Sequence, residues 1–383
     1  MPRNPNESDF ELATIQRLER LGYTHLDGGA LKEGEDFALE AVVNKAVLRG
    51  YLESRYPHLP PEAIQLAIQK ASPEGADTLH RNLAFHQTLT RGFELPYTDA
   101  AGNDRFEHIY FVHWDEPEKN TFQVVSQLPI RGNNDRRPDL IVMVNGLPLV
   151  VFELKSPYDE YADVQGAFNQ LQHYQVDIPQ LFDFNAFCVL SDNVNTLHGV
   201  HSATMEWFAP WKSVDGRSTT LTARPSTRVL RQAQDAVGER GSLVERSSSF
   251  VEMVEPKRGD MKTLIEGLFP KARLLMYIRQ FIVFEMVNDV ITKKAGKYHQ
   301  FFGVQLAAQE ALRATRPDGD KRIGVIWHTQ GSGKSLSMVF FVGLLQRLME
   351  NPLFVVEVDR TDLDEQLTDA FVAAQALVGT GSS

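Results

Sequence analysis

The stretch from Arg136 to Pro157 constrains the fold of this chain more than any other. Two apolar runs, LIVMV and PLVVFEL, flank Asn145-Gly146, which is the strongest short-range signal for a β-hairpin. Asp139 therefore begins one strand, while Glu153 and Lys155 lie on its partner. Because side chains alternate between the two faces of a strand, Glu153 and Lys155 share one face.

Register sets a condition on this hairpin. Directly opposed residues share a face, so a plain two-residue loop at Asn145-Gly146 would set Asp139 against Phe152 and turn Glu153 away. We therefore expect an odd-length loop or a β-bulge, either of which brings Asp139 near Glu153.

The residue types of this hairpin indicate a hydrolytic site. A carboxylate pair at Asp139 and Glu153 could hold Mg²⁺, a hard cation that takes carboxylate and phosphate oxygens, and Lys155 would stand beside the attacking water. The alternative is an ordinary hairpin whose edge charges oppose aggregation. However, Glu153 and Lys155 interrupt an otherwise apolar strand, and their burial would be costly without partners. The pattern therefore favours metal-dependent hydrolysis of a phosphodiester.

A second motif, HTQGSGKS at 328–335, follows the apolar run IGVIW and precedes the helical pattern LSMVFFVGLLQRLM. Strand, loop and helix in this order are the context that a phosphate-binding loop requires. Backbone N–H groups would cradle the phosphates of ATP, Lys334 would reach the β- and γ-phosphates, and Ser335 would hold the Mg²⁺ of ATP. The alternative is a chance GKS tripeptide. The nucleotide-binding candidates are Gly331, Ser332, Gly333, Lys334 and Ser335.

The amino-terminal part of the chain has a mixed pattern. Apolar residues at spacings of three and four predict a helix from about 8 to 22, and a helical stretch follows at Leu66–Ile68. Residues 93–153 consist of short β-rich runs separated by turn residues. This order predicts a mixed α/β domain with a sheet at its centre.

The remainder of the chain changes character twice. The segment 213–258 is rich in Ser, Thr, Arg and Gly, which is typical of a linker or insertion. Residues 264–291 are apolar at helical spacing, and IGVIW and LFVVEV then flank a helix, which indicates the start of a parallel βαβ sheet. We therefore predict one domain at 1–212 and a second, partial domain at 259–383.

Composition limits the classes of protein to which this chain can belong. Its 383 residues suit two domains of ordinary size, and 43% hydrophobic with 23% charged residues is a globular composition. No apolar run approaches the length of a membrane span, and the polar amino terminus lacks the pattern of a secretory signal. We therefore expect a cytoplasmic protein with no membrane partner. Cys188 is the only cysteine, which excludes a disulfide framework within the chain.

The distribution of charge bears on whether the chain can bind nucleic acid. The formal net charge of −11 argues against a protein that coats nucleic acid with a broadly basic surface. It does not exclude a DNA enzyme, because local basic runs such as Arg131–Arg137 could line a channel. The same run could also be a solvated loop.

The hairpin resembles a known nuclease motif. Pro138-Asp139 together with Glu153-Leu154-Lys155 resembles the PD-(D/E)xK motif, and the longer string RPDLIVMVNGLPLVVFELKSP is similar to that of type I restriction enzyme R subunits. The resemblance implies that Asp139, Glu153 and Lys155 are catalytic, and that Asp139 and Glu153 bind the metal. Glu11 resembles an additional acidic, metal-binding residue of such nucleases, with Glu19 as the alternative.

Gln170 and Tyr174 have the Q-x-x-x-Y spacing of the RecB-like branch of these nucleases. They lie one helical turn apart, so both can face the active site. The resemblance implies that they contact DNA or support the site. By themselves they would pass as the polar face of a helix.

The phosphate-binding loop is similar to the WHTQGSGKT-like form of type I R subunits, in which His328 stands in place of the first glycine of the general Walker A pattern. Gln300 resembles the Q motif of superfamily 2 helicases, which implies contact with the adenine edge; the alternative is a surface-facing helix residue. The run VVEVDRTDLDEQL resembles the helicase motif that follows Walker A. By itself it is typical of an acidic helix start.

The resemblance implies an α/β protein with a PD-(D/E)xK nuclease domain around a central mixed sheet, followed by an incomplete RecA-like parallel-sheet motor domain. No D-E-x-H-like element, arginine finger or second RecA-like lobe precedes Ser383, so we expect a truncated motor. The implied function is that of a type I site-specific deoxyribonuclease, which couples Mg²⁺-dependent cleavage to ATP-dependent translocation of double-stranded DNA. The implied partners are methylation (M) and specificity (S) subunits.

Two other functions stay open at this point. The first is a stand-alone helicase–nuclease of DNA repair, which would not bind M and S subunits. The second is a catalytically silent, truncated fragment that binds DNA or serves assembly.

Overall fold

The computed structural model describes residues 7–31, 40, 42–155, 163–216, 259–287, 290–326, 329, 331–357 and 371. Its helices are α1 (Glu7–Arg20), α2 (Lys45–Arg55), α3 (Pro61–Gln69), α4 (Thr78–Arg91), α5 (Val164–Asp177), α6 (Met261–Leu268), α7 (Lys271–Gln280), α8 (Tyr298–Ala314) and α9 (Lys334–Leu348). Its strands are β1 (Thr24–Asp27), β2 (Phe93–Thr98), β3 (Asp104–Ile109), β4 (Phe122–Ser126), β5 (Leu140–Val144), β6 (Leu147–Leu154), β7 (Phe187–Ser191), β8 (Thr196–Gly199), β9 (Ala209–Pro210), β10 (Ile282–Val287) and β11 (Val290–Ala295).

A seven-stranded mixed sheet lies at the centre of the fold, in the order β1-β4-β5-β6-β7-β8-β9. The pairs β1–β4 and β6–β7 are parallel, and the other neighbours are antiparallel. Every residue of β4, β5, β6 and β7 is buried, which explains why their sequences are almost continuously apolar. Helices α1 and α5 both pack against β6. The predicted α/β organisation around a mixed sheet is confirmed.

The hairpin of β5 and β6 contains the β-bulge that its register required. Asn145-Gly146 forms a two-residue turn with positive φ values of 52° and 81°. The register then shifts by one residue in the middle of β5, and beyond the shift Leu140 pairs with Phe152. Asp139, one position earlier, therefore lies beside Glu153.

The turn of this hairpin is fixed by its surroundings. The Asn145 side chain is fully buried, donates to Oδ1 of Asn120 at 2.8 Å, and accepts from the backbone N of Thr121 at 2.8 Å. A Cβ atom on Gly146 would lie 2.3 Å from the carbonyl oxygen of Asn44, so only glycine fits there. These contacts stabilise the two-residue turn, and the turn sets the pairing of β5 with β6 next to it.

The helical predictions are confirmed at α1 and at α3, but the helical spacing of 264–291 was misleading. The structure has α6 and α7 there, and then an antiparallel hairpin of β10 and β11. The hairpin begins with β-branched Ile282-Val283, and the side chains of β11 are alternately exposed and buried, both of which favour a strand. The apolar residues of α7 and β10 follow each other closely enough to resemble one helical face.

The parallel sheet expected for the motor is not formed among the described residues. Helix α9 lies where the pattern predicts it, but the described parts of IGVIW and LFVVEV are irregular. Most of their side chains are exposed, for example Val325 at 79% and Val355 at 86%, while Phe354 is half-buried. A parallel strand is stable when it is paired at its edges and covered on both faces, and these runs have neither here. The prediction of a RecA-like parallel sheet is therefore wrong for the described part of this chain.

Elements on both sides of the segment 213–258 share one hydrophobic core. The ring of Phe269 lies 5.3 Å from that of Phe152 and 6.0 Å from that of Phe187, measured between centroids. The hydroxyl of Tyr23 donates to the carbonyl oxygen of Phe269 at 2.8 Å. Helices α6 and α7 thus pack against the sheet, and the domain boundaries at 212 and 259 stay a prediction.

Some sequence predictions fall outside the described residues. These are His328, the acidic motif within 359–367, and the part of the linker at 217–258. In the described part of the chain, no helix combines the length and the apolar character needed to cross a lipid bilayer.

Candidate active site

The β5–β6 hairpin brings two acidic side chains together. Asp139 precedes β5 and is 8% exposed, and Glu153 in β6 is 1% exposed. Oδ2 of Asp139 accepts from the backbone N of Leu154 at 2.7 Å, so the strand that carries Glu153 also fixes Asp139. The bulge is the local cause of this pairing, because without it Asp139 would face Phe152.

Lys155 follows β6 directly and stays beside the pair. Its Nζ donates to Oε1 of Glu153 at 2.5 Å, and its backbone N donates to the carbonyl oxygen of Ser191 in β7 at 2.8 Å. The Lys155 side chain is 24% exposed, whereas that of Glu153 is 2% exposed. The ammonium group therefore lies at the boundary between the buried carboxylate and solvent.

The electrostatic environment of Glu153 is unusual for a carboxyl group. Burial, and after it the negative charge of Asp139, raises the pKa of Glu153 to about 8, while Lys155 opposes this rise. Oε2 of Glu153 is buried and has no hydrogen-bond partner at normal distance among the described residues, although the nearby Tyr174 hydroxyl also lowers the pKa of Glu153. A buried carboxylate oxygen without a partner is costly, and such atoms concentrate at functional sites.

Helix α5 brings Gln170 and Tyr174 to the same site. The helix begins after Asp163, whose carboxylate caps it by accepting from the backbone N of Gly166 at 2.8 Å. Tyr174 is buried, and its hydroxyl donates to the carbonyl oxygen of Arg137 at 3.4 Å. Burial and then the charges of Glu153 and Asp139 raise the pKa of Tyr174, so the hydroxyl keeps its proton at neutral pH.

A pocket of about 340 Å³ opens next to this tyrosine. Its lining includes Arg131, Arg136, Arg137, Asp135, Gln170 and Tyr174. Arg136 is held by Asp177 at the end of α5 at 2.6 Å, and Arg131 pairs with Glu40 at 2.8 Å. The basic run Arg131–Arg137, for which the sequence predicted either a channel lining or a solvated loop, therefore lines a cavity next to Tyr174.

Glu11 reaches the site through a residue that the sequence analysis missed. Nε2 of Gln127 donates to Oε2 of Glu11 at 3.0 Å and to Oδ1 of Asp139 at 3.3 Å. Glu19, the alternative, is exposed near the end of α1, and no described contact links it to the hairpin. The one signal of Gln127 in the sequence is a polar residue just after the apolar run FQVVS.

The donor set of this site suits a hard divalent cation. Asp139 and Glu153 offer carboxylate oxygens, and the unpartnered Oε2 of Glu153 is available as a ligand. Within the described ranges, no group of three or more His, Cys, Asp or Glu side chains is arranged to hold a metal. Mg²⁺ is commonly bound by one or two carboxylates together with water and substrate phosphate oxygens, so the residues present fit it.

The second motif forms a compact turn before α9. Gly331 and Gly333 have positive φ values of 78° and 83°, and Gly333 occupies the cap position of the helix. Nζ of Lys334 donates to the carbonyl oxygen of Thr329 at 3.1 Å, inside the loop. Lys334 and Ser335 are exposed, while Ser332 is half-buried.

Gln300 lies beneath this loop and does not face solvent. It is 2% exposed, which rules out the surface-facing alternative. Its Oε1 accepts from the backbone N of Lys297 at 2.8 Å, and its Nε2 donates to the carbonyl oxygen of Gly333 at 3.0 Å. The amide thus links the start of α8 to the phosphate-binding loop, and contact with adenine stays a prediction.

Comparison with known proteins identifies the family. The family model described as "Type I restriction enzyme R protein N terminus" matches residues 4–206, which is more than half of the chain. The chain belongs to this family. A second model, described as "SWI2/SNF2 ATPase", matches residues 299–381. The resemblance noted in the hairpin and the phosphate-binding loop is confirmed.

Individual relatives of this R-protein family agree with the match. The chain is 37% identical to the type I restriction enzyme HindI endonuclease subunit of Haemophilus influenzae over 97% of its length and 33% of that protein. It is 28% identical to the putative type I restriction enzyme MjaIXP endonuclease subunit of Methanocaldococcus jannaschii over 94% of its length and 33% of that protein. The chain spans about a third of the length of these relatives.

The matched ranges contain both groups of candidate residues. Asp139, Glu153 and Lys155 lie in the R-protein region, as do Gln170 and Tyr174. Gln300 and the loop at 331–335 lie in the ATPase region.

Proposed function

We propose that this R-protein chain carries a Mg²⁺-dependent DNA-cleaving site with Asp139, Glu153 and Lys155 as its catalytic residues. One observation carries the proposal: the bulged hairpin pairs two buried carboxyl groups, leaves Oε2 of Glu153 without a partner, and sets the Lys155 ammonium on the other oxygen. Relatives named as endonuclease subunits support it.

In this proposal the two carboxylates, the lysine and the tyrosine of the site have different roles. Asp139 and Glu153 would hold Mg²⁺, which when bound polarises the phosphoryl group and lowers the pKa of bound water. Lys155 favours the ionised form of Glu153 and places a positive charge where negative charge develops on the phosphate. The Tyr174 hydroxyl keeps its proton and can donate a hydrogen bond.

We propose double-stranded DNA as the substrate, with the arginine-lined pocket next to Tyr174 holding a backbone phosphate. Arginine suits phosphate because its planar donors match two oxygens at once. Arg137 directly precedes Pro138-Asp139, so a phosphate held by its side chain lies close to the acidic pair. Gln170, on the same wall, would contact the DNA or support the site.

We further propose that 1–212 is the nuclease domain, 213–258 a linker, and 259–383 part of an ATP-driven motor that binds ATP at Gly331–Ser335. The match to the SWI2/SNF2 ATPase family supports ATP, and the exposed Lys334 and Ser335 can reach its phosphates and their Mg²⁺. In the proposed cytoplasmic complex, M and S subunits supply methylation and recognition of the DNA site.

Nicking of supercoiled DNA during a Mg²⁺ titration tests the proposal. We expect the chain to nick with Mg²⁺ and the variant Glu153→Gln, which keeps the shape but removes the charge, to lose nicking at every Mg²⁺ concentration. Glu94→Gln, an exposed residue of β2, is the matched control and should nick like the parent chain.

The same assay separates the rival functions. Metal-dependent nicking that survives in Glu153→Gln contradicts the assignment of the site. Absence of nicking by the parent chain, alone and with M and S subunits, would favour a silent fragment. Nicking without any binding of M and S subunits would favour a stand-alone repair enzyme.

A further inference from the structure

One amide group links helix α1 to the proposed metal site. Nε2 of Gln127 lies 3.0 Å from Oε2 of Glu11 and 3.3 Å from Oδ1 of Asp139. A glutamine NH₂ group has two hydrogens, so it can donate one to each carboxylate. The positive end of the amide dipole thus lies between two negative groups that would otherwise repel each other.

The backbone of Gln127 is as unusual as its contacts. Its φ of 50° lies in the left-handed region, which is unfavourable for a non-glycine residue. The backbone N of Gln127 donates to the carbonyl oxygen of Asp139 at 3.0 Å, so main chain and side chain hold the same residue. Strained conformations of this kind persist where the surroundings require them, and they cluster at functional sites.

Asp139 is fixed from two directions as a result. Leu154 donates its backbone N–H to Oδ2, and Gln127 donates its side-chain N–H to Oδ1. Two donors on one carboxylate fix its orientation. Gln127 provides a link between Glu11 and Asp139.

We propose that Gln127 is a positioning residue of the metal site, which holds Glu11 and Asp139 in place for a divalent cation. The proposal rests on the proposed function, since it needs Asp139 to be a metal ligand. Gln127 itself does not touch the reacting atoms. Residues that orient metal ligands typically change metal affinity by about 10- to 100-fold when they are replaced.

The chain offers a matched control in β4, the strand that directly precedes Gln127. Gln123 lies four residues earlier, in β4; it is buried, whereas Gln127 is half-buried, and no described residue donates to its Oε1 atom. Gln123→Met and Gln127→Met make the same chemical change, and only the second removes a donor from the two carboxylates. Gln127→Gly is the second test variant, because it removes the side chain and relieves the positive φ.

Mn²⁺ binding to the full 383-residue chain without DNA, measured by titration calorimetry, tests the proposal. We expect Gln127→Met and Gln127→Gly to bind Mn²⁺ about tenfold more weakly than the parent chain, and Gln123→Met to bind it equally well. In nicking assays the Mg²⁺ concentration for half-maximal rate should rise by a similar factor. The rate at saturating Mg²⁺ should fall less than about threefold, because a positioning residue acts on metal binding.

The outcomes separate this inference from the function on which it rests. If Glu153→Gln abolishes Mn²⁺ binding while both Gln127 variants bind normally or more tightly, the metal site stands and the role of Gln127 is overturned. A fall confined to the saturating rate also contradicts the role. If Glu153→Gln binds Mn²⁺ like the parent chain, the metal site fails, and the inference about Gln127 fails with it.

Discussion

In the β5–β6 hairpin the functional side chains are buried and held by neighbouring strands, whereas in the loop at 331–335 they are exposed and held locally. Glu153 lies in a strand that is paired on both edges, and its unusual pKa follows from that burial. Lys334 lies at the start of α9, and the apolar run before its loop is unpaired in the described residues. The loop at 331–335 therefore depends on its glycines, the start of α9 and one amide of α8, Gln300, whereas the proposed nuclease site depends on the central sheet.

The largest effect is expected at Lys155. Lys155→Met keeps the length and apolar stem of the side chain but leaves Glu153 without its cation, so nicking should fall by at least about a hundredfold. ATP binding should stay unchanged, because the loop at 331–335 shares no described contact with Lys155. Nicking kinetics check this, with Lys70→Met, an exposed lysine, as the control. Equal losses in both variants would contradict a specific role of Lys155.

Lys334→Ala tests the loop at 331–335, and it should weaken ATP binding while it leaves the hairpin site unchanged. Removal of a charged donor to the phosphates should weaken binding of a fluorescent ATP analogue by about tenfold or more. Mn²⁺ binding at the hairpin should not change, and Lys262→Ala on the exposed face of α6 serves as the control. A loss of hairpin function in Lys334→Ala would show that the two sites are not as independent as their environments indicate.

Lys293 in β11 is buried against Asn82 and Asn185, and it should make stability depend on pH. Its Nζ is buried and donates to Oδ1 of Asn82 at 2.8 Å and to the carbonyl oxygen of Asn185 at 2.6 Å. Burial lowers the pKa of Lys293 to about 7, whereas burial lowers that of His86 to about 3 and raises that of Cys188 to about 12. Of these three groups, Lys293 is therefore the one whose folded-state pKa lies near neutral pH.

The direction of this effect follows from proton counts. Between pH 7 and the ordinary lysine pKa, the unfolded chain carries a proton on Lys293 that the folded chain lacks, so the free energy of unfolding rises with pH. The rise attributable to Lys293 is at most about 1.4 kcal/mol per pH unit, and it is absent below the folded-state pKa. Denaturant unfolding at pH 7, 8 and 9 should show a more positive slope in the parent chain than in Lys293→Met, because the opposite contribution of Glu153, whose pKa is raised to about 8, is the same in both. An unchanged slope in the variant would contradict it.

The smallest effect is expected at the arginine-lined pocket. Arg137→Ala removes one exposed charge, so DNA affinity should fall roughly threefold. The slope of log affinity against log salt concentration should decrease by the equivalent of about one phosphate contact. Both the affinity and its salt dependence are measured by fluorescence anisotropy at several salt concentrations. The Glu153→Gln background is used because this variant should not cleave the DNA. Arg105→Ala on β3, away from the pocket, should leave both quantities unchanged. Equal losses in the two variants would indicate a general effect of charge.

The sequence was informative where local rules decide the structure. The alternation of side chains and the Asn145-Gly146 turn predicted the hairpin, and the requirement that Asp139 meet Glu153 predicted the bulge. The four-residue spacing of Gln170 and Tyr174 also indicated that they share one face of a helix, and both line the pocket. In each case the signal lies within a few residues of the feature that it predicts.

The features that were missed depend on contacts between distant segments. Gln127 acquires its role only because α1 packs beside the sheet, and no local pattern records that contact. The runs IGVIW and LFVVEV have strand-like sequences, but a strand needs partners, and propensity alone does not supply them. The hairpin of β10 and β11 was hidden because its apolar residues continue the spacing of α7.

The central claim is that the bulged hairpin pairs Asp139 with Glu153 to hold a divalent cation. Anomalous diffraction from crystals of the chain grown with Mn²⁺ tests it most directly. The account predicts a Mn²⁺ peak coordinated by a carboxylate oxygen of Asp139 and by Oε2 of Glu153. A bound Mn²⁺ elsewhere in the chain, with both of these carboxyl groups uncoordinated at saturating metal, would contradict it.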